Sequence, residues 1–177
     1  MTRSLLMRTI AALGASLLVL SACSSSEQEA AALKIGSLLP ETGSLAFLGP
    51  PEFAGVDLAI EEINAAGGVL GKPVEHLRGD SGDTSTDIAQ QTVDAHLAAG
   101  VSAIVGAASS GVSFTVIDKI TEAGVVHFSP ANTSPDFTNY EDNGLYFRSA
   151  PSDTFQGAVL GQLMANEGAT NAVILNL

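Results

Sequence analysis

Residues 102–129 read SAIVGAASSGVSFTVIDKITEAGVVHFS, and this stretch decides the fold. Residues 102–106 form an apolar run of strand length, with no alternation that would turn one side to water, as in a strand buried on both faces. A helical stretch follows from about Gly111 to Glu122 and stops before Gly124, and a second apolar strand covers 125–129. A strand, a helix and a strand in such close succession make a βαβ unit: two parallel strands joined by a right-handed crossover. The same alternation continues outward. Further strands are expected at 34–39, 73–78, 145–148 and 172–175. One helix places Phe53, Val56, Ile60 and Ile63 on a single face and stops at Gly67 and Gly68. A second carries Ala89, Val93 and Leu97, ends at Gly100, and has Thr84 and Asp87 spaced as a capping box at its start. A last one carries Phe155, Val159 and Leu163 ahead of Gly168. The expected architecture is a doubly wound α/β fold around a parallel sheet.

The first residues carry an address. Arg3 and Arg8 precede an apolar run from Ile10 to Leu20, too short to span a bilayer, which ends at Leu20-Ser21-Ala22-Cys23. Residues 1–22 are expected to be a lipoprotein signal peptide, with Cys23 acylated as the first mature residue and anchored to the membrane by lipid chains; an ordinary secretory signal with a chance cysteine is the alternative. Small and polar residues from 23 to 32 make a flexible tether. Cys23 is the only cysteine, so no disulfide forms within the chain. Removing the leader takes two of the seven basic residues and none of the nineteen acidic ones, so the mature chain carries −14, which argues against nucleic acid as a partner and against electrostatic attachment to anionic lipid.

Parallel α/β sheets bind ligands beyond the carboxyl ends of their strands. The loops to inspect are therefore 40–49, Ala107-Ala108-Ser109-Ser110, and Pro130-Ala131-Asn132-Thr133-Ser134-Pro135. The second leads into a helix, so its hydroxyls and the first helical amides face an anion together. Such neutral donors suit a carboxylate, because they replace its water shell without burying a counter-charge. Bland readings stand beside this: Ser109 and Ser110 as helix caps, Thr133 and Ser134 as turn residues. Asp80, Asp83 and Asp87 lack the alternation of a calcium loop and read as capping or solvated residues, and His76, His96 and His127 sit singly on separate elements, so neither metal nor cofactor is expected.

Nucleotide motifs fail. Gly106 and Gly111 have phosphate-loop spacing, but Val112 stands where the lysine belongs. A serine hydrolase built on Ser109 and His127 is the enzymatic alternative, although Ala107 replaces the first glycine of a nucleophile elbow.

The residues at 35–43 (IGSLLPETG), 58–74 (LAIEEINAAGGVLGKPV), 104–111 (IVGAASSG), 129–135 (SPANTSP) and 147–153 (FRSAPSD) together resemble the leucine/isoleucine/valine-binding protein family across essentially the whole mature chain. The resemblance implies two α/β lobes of the periplasmic-binding-protein type that close on a ligand and present it to an ABC permease. It implies a first lobe over 33–148, and a hinge crossing and the start of a truncated second lobe over 149–177. It further implies that Ser110 and Thr133 bind the carboxylate of an amino acid, with a branched-chain one preferred, and that the Ala131 carbonyl meets the ammonium. Ser109 and Asn132 would complete the wall, and Leu48 would stand where an aromatic residue often faces the side chain. Another small carboxylate or amide, such as an aromatic acid or a urea-like solute, and an extracytoplasmic sensor role are the alternatives.

Overall fold

A computed structural model describes residues 32–174; the leader, Cys23 and the tether up to residue 31 lie outside the described residues. Five strands, β1 (Lys34–Leu39), β2 (Glu75–Asp80), β3 (Ala103–Gly106), β4 (Val126–Ser129) and β5 (Tyr146–Arg148), form one sheet in the order β2-β1-β3-β4-β5. Every pairing is parallel. Four helices accompany them: α1 (Gly49–Ala65), α2 (Ile88–Ala98), α3 (Ser110–Glu122) and α4 (Asp153–Asn166). From β1 the chain moves out to β2 and then returns past β1 to β3, so the topological switch lies between β1 and β3. Their register pairs Leu38 with Gly106, which brings the loops that leave both strands to one edge.

Leu38 and Ile104 on the sheet, Val93 on α2, and Val112, Val116 and Ile120 on α3 form the main core. A smaller aromatic cluster joins Ile117, Phe137 and Tyr146, with Phe137 stacked between Phe114 (centroids 4.0 Å) and Tyr146 (4.5 Å). Gly106 is fixed by close approach: at φ +128 a β carbon there would lie 1.8 Å from the Leu38 carbonyl oxygen. α1 opens at Gly49 with prolines in its first turn, where a missing N–H costs nothing. Among the described residues, no helix is long and apolar enough to cross a membrane.

Four details differ from the sequence reading. β2 begins two residues later than expected because Asn64 takes the backbone of Val74, accepting from its N–H (2.6 Å) and donating to its carbonyl (3.0 Å). No capping box forms at α2; Asp83 instead accepts from Ser85 N (3.0 Å), a local turn that competes with the cap, and Asp87 makes no side-chain cap. Of the strand expected at 172–175, residues 172–174 form none among the described residues, and residue 175 lies outside them. Finally, β4 and β5 are covered on one face only: His127 and Tyr146 are buried, whereas Phe128 is 37% and Phe147 52% exposed.

Candidate functional site

At the carboxyl edge, Asp80 at the end of β2 gathers the loop after β1. Its Oδ1 accepts from Glu41 N (2.9 Å), Thr42 N (3.1 Å) and Gly82 N (2.8 Å), and its Oδ2 from Thr42 Oγ1 (2.5 Å). Burial pushes this carboxyl up, but the four hydrogen bonds outweigh it and hold Asp80 below the usual carboxylate range. The loop after β2 fits between its neighbours: a β carbon on Gly43 would lie 2.9 Å from the Asp83 carboxylate, and one on Gly111 would lie 3.0 Å from the Thr84 methyl.

The loops after β3 and β4 are joined more tightly. Ser109 caps α3, its Oγ accepting from Val112 N (3.4 Å). Ser110 Oγ accepts from both Thr133 N and Ser134 N, each at 3.2 Å. Ser129 Oγ donates to the Ala107 carbonyl (2.7 Å) and accepts from Ala131 N (3.3 Å) and Asn132 N (3.0 Å). Arg148 NH1 reaches the Asn132 carbonyl (3.4 Å) and the Ser134 carbonyl (2.7 Å), the two that flank Thr133. Five of the six ligand-binding residues expected from sequence, Ser109, Ser110, Ala131, Asn132 and Thr133, are therefore drawn into one hydrogen-bonded corner. Leu48 stands apart, half-buried at the end of a short 3-10 turn (Ala46–Leu48) before α1. Asn132 is turned inward: its side chain is fully buried and spent on protein groups.

The chemistry of this corner follows from which groups remain uncommitted. With its lone pairs engaged by two amides, the Ser110 hydroxyl can only donate elsewhere. Thr133 gives its amide to Ser110 and its carbonyl to Asp153 N (2.8 Å), which leaves the half-buried hydroxyl as its uncommitted polar group among the described residues. The first amides of α3, at Ser110 and Gly111, have no carbonyl four residues earlier in the helix. These donors are neutral and converge at the positive end of a helix, an arrangement that stabilises an oxyanion.

Ser109 and His127 form no nucleophile pair. Ser109 is occupied as a cap, and neither ring nitrogen of the fully buried His127 has a hydrogen-bond partner among the described residues. A serine–histidine–aspartate chain that sequence reasoning missed does exist elsewhere: His76 joins Ser37 Oγ (Nε2, 2.9 Å) to Asp57 (Nδ1, 2.9 Å), and Arg78 pairs with the same carboxylate (3.0 Å). Ser37 is wholly buried inside β1, so its hydroxyl meets no substrate and the chain pins α1 to the sheet. The open groove of 460 Å³ between α1 and the sheet, lined by Ile35, Val56, Ile60, Val105 and Phe128, is apolar and contains none of the corner hydroxyls.

The periplasmic binding protein family model matches residues 32–177. A Leu/Ile/Val-binding protein homologue of Brucella abortus is 34% identical over 135 residues, which cover 76% of this chain and 36% of that protein. Among solved structures, the branched-chain amino acid transporter substrate-binding protein LivJ of Streptococcus pneumoniae, in complex with isoleucine, superposes with a TM-score of 0.68 at 34% identity, covering 77% of this chain and 39% of that one. An ABC transporter substrate-binding protein of Desulfitobacterium hafniense in complex with Leu gives a TM-score of 0.68 at 30% identity, covering 78% and 40%. The chain thus spans about two fifths of the length of these relatives.

Proposed function

The chain belongs to the periplasmic binding protein family, and on that premise we propose that it captures an amino acid with a branched aliphatic side chain outside the cell and delivers it to an ABC importer. In this reading it acts by binding alone, without catalysis. Ser110 and Thr133 hold the carboxylate through their hydroxyls, the first amides of α3 add to them, and the Ala131 carbonyl meets the ammonium. Ser109 contributes as the cap that starts α3 at the site, and Leu48 is assigned to the ligand side chain on the family resemblance. The observation that carries the reading is the Ser110 hydroxyl, whose acceptor sites are filled by Thr133 N and Ser134 N at 3.2 Å, so that it is left to donate. Relatives solved with isoleucine and with Leu support the choice of ligand.

The rest of the molecule is assigned on the same basis. Residues 33–148 make the first lobe, the chain crosses a hinge near 148–151, and 149–177 begin the second lobe. α4, with no buried residue and with Phe155, Val159, Leu160 and Leu163 all exposed, suits a helix that packs against elements of that lobe. Residues 1–22 direct export, and acylated Cys23 anchors the protein to the membrane through residues 23–32. Equilibrium dialysis of the protein at its full cellular length against labelled leucine tests the ligand assignment. Saturable binding displaced by isoleucine and valine is expected. Indifference to all three, with binding of a urea-like solute or an aromatic acid instead, overturns it.

A further inference from the structure

Tyr146 lies on the last strand of the sheet and is almost entirely buried, its ring stacked on Phe137 and met edge-on by His127 (centroids 5.2 Å). Burial pushes its phenol far above the ordinary range, so the hydroxyl is a permanent donor. That proton goes to Asn132 Oδ1 at 2.9 Å, across 14 residues of chain. A donor at Oδ1 fixes which way the amide faces. The two Nδ2 hydrogens are then delivered to the carbonyls of Ala107 and Ala108, both at 3.0 Å. Asn132 has no exposed surface. One side chain on the loop after β4 therefore holds two consecutive carbonyls on the loop after β3, and a phenol on β5 holds that side chain.

The clamp sits beside the proposed site. Ala108 is two residues before Ser110, and Asn132 is the residue before Thr133, so the crosslink sets the separation of the two hydroxyls. We propose that Asn132, oriented by Tyr146, is a positioning residue for ligand capture: it touches no ligand and acts by fixing the Ser110 and Thr133 loops at the spacing a carboxylate requires. The proposal rests on the reading of the corner as the carboxylate site. Buried hydrogen-bond chains of this kind act as a unit, because removing one partner leaves the other unsatisfied in a medium that cannot replace it.

The test uses the protein at its full cellular length and the variants Tyr146→Phe, Asn132→Ala and their combination. Tyr140→Phe serves as control, since that hydroxyl bonds Asp118 at the surface (2.9 Å). Leucine affinity should fall about tenfold in Tyr146→Phe, the value of one hydrogen bond of about 1.4 kcal/mol. It should fall further in Asn132→Ala, and the double variant should be no weaker than Asn132→Ala alone, because both changes cut the same chain. The control should bind as the wild type does. Single-residue hydrogen exchange without ligand provides a second readout: Thr133 and Ser134 amides should exchange about tenfold faster in Tyr146→Phe while those of β1 and β3 do not change. Additive losses of affinity, or a lowered melting temperature with affinity and Thr133 exchange unchanged, overturn the proposal. If the wild type binds no leucine, the ligand reading fails by itself, and the exchange rates still decide the clamp.

Discussion

His127 is an imidazole placed where water cannot reach it and where its ring nitrogens have no hydrogen-bond partner among the described residues. Burial lowers its pKa from 6.5 to about 4, and burial lowers that of His96 as well. The unfolded chain takes up a proton near pH 6.5, whereas the folded His127 does so only near 4, so acidification between these values favours unfolding. The loss should approach about 3 kcal/mol at the lower end, from roughly 1.4 kcal/mol per pH unit. Melting curves taken from pH 7 down to about 4.5 should show it, and His127→Leu should flatten much of the slope; an unchanged slope would mean that other groups carry it. Sequence reading identified residues of this kind unevenly. The placement of Ser110 and Thr133 was legible because loops that leave the strands of a parallel sheet lie at its carboxyl edge. The inward turn of Asn132 was not, because its meaning depends on a tyrosine on the next strand. Nor was the partnership of Ser37 and His76, whose separation of 39 residues depends on strand register that periodicity does not reveal.

At the level of helices and loops, alternation of apolar runs was enough to predict the five strands and four helices found among the described residues, but it also placed a strand at 172–175 where 172–174 form none, and it erred where a side chain captured backbone groups. Asn64 delayed β2, and Asp83 displaced the cap of α2. The opposite case is Ser109, whose bland reading as a helix cap describes what its side chain does. Ser109→Ala should therefore cost about 1 kcal/mol of stability, read in the denaturant midpoint, while leucine affinity changes little at temperatures far below melting. A large loss of affinity with unchanged stability would show direct contact with the ligand. Asp80 organises the loop after β1 through four hydrogen bonds, and Asp80→Ala should free that loop: amides of Glu41 and Thr42 should lose protection from exchange, whereas those of β3 keep theirs. Equal loss across the sheet would mean global destabilisation instead.

Across the molecule, the proposed carboxylate corner lies among the described residues while α4 exposes Phe155 (64%) and Leu160 (57%). Residues 24–177 produced by themselves should therefore associate in sedimentation and bind leucine no tighter than about 100 μM, since the remaining partners of the ligand would be water. Tight saturable binding by a monomer of that segment would mean that one lobe suffices. Attachment to the membrane is a separate matter of chemistry: the mature protein should take up labelled fatty acid, and Cys23→Ser should abolish the label, whereas an unlabelled, freely soluble wild type would refute acylation. In the proposed site, two neutral hydroxyls, those of Ser110 and Thr133, meet a charged ligand. Calorimetric titration of leucine into the protein at full cellular length, beside Ser110→Ala and Thr133→Ala, examines them together. Each variant should weaken binding by about 1.5 to 3 kcal/mol, the value of a hydrogen bond to a charged group, with little change in the melting temperature of the free protein. Unaltered affinity in both variants would contradict the carboxylate site.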